Sequence, residues 1–359
     1  MKKFYALLPG TIINKPECTL IDMEAEKIQK VAVFRALQLG DMLCIIPAIR
    51  ALKAALPHAS LTLIGLPWQR NFVNRFHHYF DHFIEFPGWP GLPEQSFDPK
   101  KVVAFLNHMQ DQHYDLVLQM QGNGAITNTM CMLWGAKKVT GLRRPDEYAP
   151  DENLFPISGD DEHEVLRFLK LTDVLNIPRQ GTFLEFPILE EEIVHFREIS
   201  SKLELPGKYI CIHPGARDPR RRWPAKNFAL AGDHLARKGY KIVLTGSEDE
   251  RSLLEETAAH MHAPVINTIA QLDHVSLGDL ASIIGHSRLL ISNDTGVSHI
   301  AAALRVPSVV IFSPFSNMQR WAPLDISLHH VIPFEQAADP ELVIRRAQEQ
   351  MKAYAGTIT

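Results

Sequence analysis

Four short polar stretches carry the residue types that bind charged groups and move protons. Ser292-Asn293-Asp294-Thr295-Gly296 follows the apolar run Leu289–Ile291 and precedes the Ala-rich segment Val297–Leu304. A turn between a strand and a helix N-terminus leaves backbone N–H groups without partners, and with the helix dipole they make an anion site. Gly296 lets a ligand approach the backbone, Asp294 accepts from hydroxyls, and His299 lies one turn into the helix near the same mouth. An ordinary capped helix fits the same pattern. His213-Pro214-Gly215-Ala216-Arg217, running on through Arg220-Arg221-Arg222 to Trp223-Pro224, joins guanidinium groups to a glycine and another helix start. That combination suits a diphosphate, or else an exposed basic loop. Ser247-Glu248-Asp249-Glu250 opens a third helix, where carboxylates complement the dipole or accept from ribose hydroxyls. Gly40-Asp41 closes the strand Val31–Leu37. A carboxylate there acts as a general base, recognises a hydroxyl, or caps the next helix.

All four stretches need the same carrier, a parallel strand whose carboxyl end opens into a helix. Val31–Leu37, a helix over Met42–Leu56 and a strand at Leu61–Ile64 form one such β-α-β unit. In it Leu43, Ile46, Ile49, Leu52 and Leu56 recur at helical spacing. Strands are expected again at Asp81–Phe86, Tyr114–Met120, Lys137–Gly141, Tyr209–Ile212, Tyr240–Gly246, Val265–Asn267 and Ser308–Phe312. Helices are expected between them, at Val102–Gln112, Ile126–Leu133, Asp161–Leu175, Glu191–Leu203 and from Pro224 to about Lys238, with a last one at Pro340–Tyr354. Phe4–Leu8 reads as a strand, and Met23–Gln29 as a linker or short helix. The class is α/β. A chain of 359 residues suits two domains, 1–180 and 181–359, joined near residue 180.

Composition removes several functions. A net charge of −4 argues against a protein devoted to nucleic acid. Cys18, Cys44, Cys131 and Cys211 form no C-x-x-C pair, so neither a zinc site nor a disulfide framework is expected, and a reducing cytoplasm fits. No uninterrupted apolar run reaches the roughly 18 residues of a spanning helix. Pro9, Gly10 and Asn14 break the N-terminal apolar patch, against a signal peptide. Gly122 and Gly124 lack the third glycine of a dinucleotide fingerprint, which disfavours a dehydrogenase. His77 and His78 are adjacent and so point apart, which gives no metal site. Arg70 and Arg75, in the aromatic stretch Trp68–Tyr79, and the pair Arg143-Arg144 suit an anionic partner or a solvated face.

Taken in order, R-A-L-Q-L-G-D-M (Arg35–Met42), H-P-G-A-R (His213–Arg217), R-W-P (Arg222–Pro224), L-T-G-S-E-D-E (Leu244–Glu250) and S-N-D-T-G-V-S-H (Ser292–His299) form a set. The set resembles glycosyltransferase family 9, the ADP-heptose:lipopolysaccharide heptosyltransferases and their relatives. The resemblance implies a GT-B fold: two Rossmann-like domains facing a central cleft, the first for the acceptor and the second for the nucleotide-sugar. The C-terminal helix is expected to pack back on the first domain. It implies inversion without a metal or other cofactor. Asp41 then corresponds to the catalytic base and Arg222 to a donor-phosphate contact that stabilises the leaving group. The remaining donor-side counterparts are Gly215, Arg217, Glu250, Asp294, Thr295, Gly296 and His299, with Glu250 at the ribose. On the acceptor side stand Gly40, Arg70 and Arg143. Arg222 occupies a position where lysine is frequent; it keeps the charge and adds a bidentate fork. The implied partners are ADP-heptose, or a related nucleotide-diphosphate sugar, and a lipopolysaccharide-core or other surface glycan or glycolipid. The implied place is the cytoplasm, with peripheral contact to the inner membrane through Trp68–Tyr79. A GT-B epimerase or hydrolase would consume the donor without an acceptor, and a silent binding protein would hold it without transfer.

Overall fold

Val31, Val33 and Phe34 lose all solvent exposure, and so do Ile210, Cys211 and Ile212 in the second half of the chain. Apolar runs of this kind, without alternation, form strands covered on both faces, which is the situation of a parallel sheet between helix layers. The computed structural model describes residues 27–205 and 207–355. Among these residues the strands build two wholly parallel sheets. The first contains β1 (Lys30–Phe34), β2 (Ser60–Gly65), β3 (His82–Glu85), β4 (Leu116–Gln119) and β5 (Lys138–Gly141), in the order β3-β2-β1-β4-β5. The second contains β6 (Tyr209–His213), β7 (Lys241–Leu244), β8 (Val265–Asn267), β9 (Leu290–Asn293), β10 (Ser308–Phe312) and β11 (His329–Pro333), in the order β11-β10-β9-β6-β7-β8.

Each sheet reverses its winding direction once, between β1 and β4 and between β6 and β9. Ala32 lies opposite both Thr62 and Val117, and Cys211 opposite both Val243 and Leu290. Helices diverge at such a point and leave a crevice beyond the strand ends, where open parallel sheets bind ligands. Asp41 follows β1, the Pro214–Arg222 loop follows β6, and Asp294–Gly296 follows β9. The lobes also share an apolar interior: Met42, Leu43 and Ile46 belong to one buried cluster with Val297, Ile300 and Ala301.

Several elements differ from expectation. The helix read as Met42–Leu56 is two helices, Leu39–Leu43 and Ile46–Ala55. Pro47 has no N–H and sits where a helix tolerates that, in the first turn of the second one. Because the first helix begins at Leu39, its N-cap is Gln38 and Asp41 does not cap it. β11 was not expected; it is an edge strand, which tolerates its terminal Pro333. The last helix, Pro340–Ala355, does not return to the first lobe. Val343, Ile344 and Ala347 fill the core of the second sheet beside Leu235, Ile311 and Ile332. The strand at Phe4–Leu8 and the Met23–Glu26 part of the proposed linker lie outside the described residues.

Candidate active site

The two switch points face each other across a cavity of about 390 Å³. Gly40 and Asp41 line it from the first lobe. Arg217, Arg221, Glu250 and Asp294–Gly296 line it from the second, with His299 and Trp321 between them. The approach of the lobes is close. A Cβ on Gly40 would stand 2.8 Å from Cδ2 of His299 and 3.5 Å from Cα of Gly296, so only glycine fits there without displacing the imidazole.

Asp41 is held from below. Arg35, fully buried at the end of β1, directs Nη2 at Asp41 Oδ1 (3.2 Å) and donates from Nε to the Asp41 carbonyl (3.1 Å). The same Nη2 donates to Glu164 Oε1 (2.9 Å), and Nη1 donates to the Met120 carbonyl. Burial raises the Asp41 carboxyl above the usual aspartate range; Arg35 draws it back, while the nearby Glu164 charge pushes it up again. About a quarter of the side chain, 23%, still faces the cavity. The carboxylate is thus oriented, open on one side and more basic than a surface aspartate, as a general base requires.

Glu164 opens the helix Glu164–Val174 and is fully buried. It collects three guanidinium groups: Arg35, Arg167 (Nη1 to Oε2, 2.8 Å) and, from the other lobe, Arg320 (Nε to Oε2, 2.7 Å). Burial alone would raise its carboxyl, but the three cations outweigh that and hold it at about 2.

The second lobe presents cations and a helix start. Asp294, 3% exposed, binds the Arg221 guanidinium and accepts from the Ser316 hydroxyl. It therefore anchors Arg221 at the cavity wall, in addition to any hydroxyl it meets. Thr295 caps the helix Gly296–Ala303, its Oγ1 accepting from the Val297 amide (3.2 Å). His299 lies one turn in; burial lowers its pKa, so its ring is neutral near pH 7. Its Nδ1 is 3.9 Å from Cys44 Sγ. Glu250 Oε2 accepts from the Ser247 amide (2.9 Å) and hydroxyl (3.1 Å), which leaves Oε1 for the cavity. A side chain at Gly215 would overlap that carboxylate.

Other expected residues stand apart. Arg222 is not on the cavity wall; its Nε donates to the carbonyl of Ala216, which is, at 2.8 Å. Its terminal nitrogens make no other described bond. Arg143 spends its guanidinium on the Phe155, Arg144 and Pro145 carbonyls. Arg70 is exposed over the Phe83 ring (4.9 Å). Arg75 is buried and pairs with Glu192 in the first turn of the helix Glu190–Lys202, so it is not available to an anion. The cavity brings together Gly40, Asp41, Arg217, Glu250, Asp294, Thr295, Gly296 and His299, and leaves Arg70 and Arg143 outside. The sequence reading did not assign Arg221, Glu164 or Arg320. For Arg35 a signal was present, since a charge inside the buried run V-A-V-F-R-A-L must be paired.

Residues 102–352 match the family profile described as glycosyltransferase family 9 (heptosyltransferase). Lipopolysaccharide heptosyltransferase 3 of Escherichia coli K12 is 24% identical over 89% of this chain and 91% of its own length. The glycosyl transferase family 9 structure from Veillonella parvula superposes with a TM-score of 0.72 at 21% identity, covering 90% of this chain and 97% of the other. The ADP-heptose lps heptosyltransferase II structure of Escherichia coli gives 0.70 at 20% identity, covering 91% of this chain and all of the other, 100%. The two lobes and their cleft have the GT-B arrangement of these neighbours.

Proposed function

Because the chain belongs to glycosyltransferase family 9, the heptosyltransferases, we propose that it moves heptose from ADP-heptose to a lipopolysaccharide-core acceptor with inversion and without a metal. One observation carries this reading: a basic carboxylate of the first lobe and a cation-rich, helix-ended wall of the second line a single cavity. The names of the relatives, a lipopolysaccharide heptosyltransferase and an ADP-heptose-dependent one, support the acceptor and donor classes. Residues 1–180 carry the acceptor side and 181–359 the donor side.

Asp41 takes the proton of an acceptor hydroxyl as that oxygen attacks the anomeric carbon. The bond from that carbon to the diphosphate oxygen breaks on the opposite face, which inverts the centre. Negative charge gathers on the departing ADP. Arg217 and Arg221 on the wall and the first turn of Gly296–Ala303 stabilise it. Fixed cations of this kind supply the electrostatic help that a metal gives elsewhere. Glu250 Oε1 receives the ribose hydroxyls.

The test is turnover of ADP-heptose with truncated lipopolysaccharide cores, followed by product analysis. A glycosylated core supports transfer; free heptose or an epimerised nucleotide-sugar without glycosylation refutes it. In calorimetry, Arg221→Gln is expected to weaken ADP by roughly 10- to 100-fold, the worth of one charge-assisted hydrogen bond. Unaltered affinity removes Arg221 from the diphosphate site.

No helix among the described residues is long and apolar enough to cross a membrane. A lipopolysaccharide acceptor is membrane-anchored, so the enzyme works as a peripheral protein at the cytoplasmic face of the inner membrane. Phe72 and Phe76 of the aromatic stretch are core residues and its Arg75 is buried, which leaves Arg70 as its outward cation. Arg70→Gln is expected to reduce partitioning onto anionic vesicles. Equal partitioning of the two proteins would remove Arg70 from that contact.

A further inference from the structure

The segment from Ser313 to Trp321, a loop after β10 that ends in the short helix Met318–Trp321, reaches in two directions. Its Ser316 hydroxyl donates to Asp294, the residue that holds Arg221 at the cavity. Its Arg320 crosses to the first lobe and donates to Glu164 Oε2 at 2.7 Å. Two further bonds fasten the crossing: Asn317 Nδ2 donates to Asp161 Oδ1 (2.8 Å), and His163 Nε2 donates to the Ala322 carbonyl (2.7 Å). On the far side of Glu164, Arg35 Nη2 is shared between Glu164 Oε1 (2.9 Å) and Asp41 Oδ1 (3.2 Å).

We propose that Arg320 is a positioning residue for Asp41, acting from the second lobe through Glu164 and Arg35. Arg320 neutralises Glu164 from one side, so Arg35 remains divided between Glu164 and Asp41. The proposal rests on Asp41 being the base of the transfer.

The charges around Asp41 decide the direction. Two carboxylates, Asp41 and Glu164, face three guanidiniums, Arg35, Arg167 and Arg320. His299, on the helix opposite, is neutral by burial, and burial keeps the Cys44 thiol protonated. Arg217, Arg221, Glu250 and Asp294 stand across the cavity. Without Arg320, the Glu164 charge is less compensated and draws Arg35 toward itself. Asp41 then ionises less readily and loses its fixed orientation. The loop also bonds Asp294, so one segment touches both the donor anchor and the counter-ion of the base. Such a connection becomes coupling only when a change at one end is measured at the other.

The experiment uses the full chain with carbon-13 labelled aspartate carboxyls, the Asp41 signal being assigned by its loss in Asp41→Asn. In Arg320→Gln the Asp41 titration midpoint is expected to move upward, and in Arg320→Lys, which keeps the charge, to return toward the wild-type position. With ADP-heptose and a truncated lipopolysaccharide core, kcat of Arg320→Gln is expected to fall about 10- to 100-fold, as a misplaced catalytic group does. KM for the donor is expected to stay within about twofold, as for an interaction made in the transition state. Retained ADP binding by calorimetry marks the variant as folded. An Asp41 midpoint unmoved by Arg320→Gln overturns the proposal. A moved midpoint with full turnover by Asp41→Asn keeps Arg320 as a positioning residue and removes Asp41 as the base.

Discussion

Asp41→Asn is expected to lower kcat by about 10²–10⁴-fold, the usual contribution of a positioned general base, while ADP affinity stays within about twofold of wild type. The asparagine is nearly isosteric, and its Oδ1 can still accept from Arg35 Nη2, so the 3.2 Å contact and the floor of the cavity survive. What is lost is the negative charge that pairs with Arg35, and with it the capacity to take a proton. The diphosphate wall belongs to the other lobe, which is why donor affinity is the proper control. A residue that merely recognised the acceptor hydroxyl would behave differently: KM for the acceptor would rise and kcat would persist, and that result would strip Asp41 of its role as base. The pH dependence has a definite sign. Asp41 must be ionised to work, and burial raises its pKa above the ordinary value of 3.8. Activity therefore falls as pH drops, with the acid limb of the kcat profile displaced above that of an exposed aspartate.

What the sequence disclosed and what it hid follow from one physical distinction. Strand-end motifs are local: Gly40-Asp41, His213–Arg217 and Asp294–Gly296 are each set by an apolar run, a turn and a helix start, all within a few residues. The doubly wound topology then carries them to the same edge, because all three follow strands flanking a switch point. Long-range partners leave no such trace. Glu164 and Arg320 are separated by 156 residues, and neither sits in a patterned stretch that announces a bond to the other. Adjacent arginines were equally hard to tell apart. Arg221 and Arg222 differ in sequence only by one step, yet one faces the cavity and the other bonds Ala216 behind it, since the short Pro219–Arg221 turn rotates them apart. The break at Cys44-Ile45 was legible in principle from Pro47, which marks a helix's first turn more often than its middle. The final helix shows the limit of pattern reading. Its apolar stripe identifies the buried face but carries no information about which lobe covers it.

Removing the charge at the centre of the lobe-bridging network should cost more stability than any substitution at the cavity wall. Glu164→Gln is expected to destabilise the protein by about 3–5 kcal/mol, the cost of breaking a buried ion pair from one side, and so to lower its melting temperature by roughly 10 °C. Arg167 and Arg320 would lose their carboxylate partner, and Arg35, fully buried with no route to water, would keep only Asp41 as a counter-charge. The acid behaviour of the wild type follows from the same carboxylate. Its folded pKa, about 2, lies below the ordinary value of 4.5, so the ionised form favours the folded chain. That contribution, on the order of 3 kcal/mol, is complete above the unfolded value and disappears as pH falls from about 4.5 toward 2. Glu164→Gln lacks it at every pH. Melting temperatures of the two proteins measured from pH 7 downward should therefore converge on acidification, whereas parallel curves would show that Glu164 is not ionised in the folded wild type.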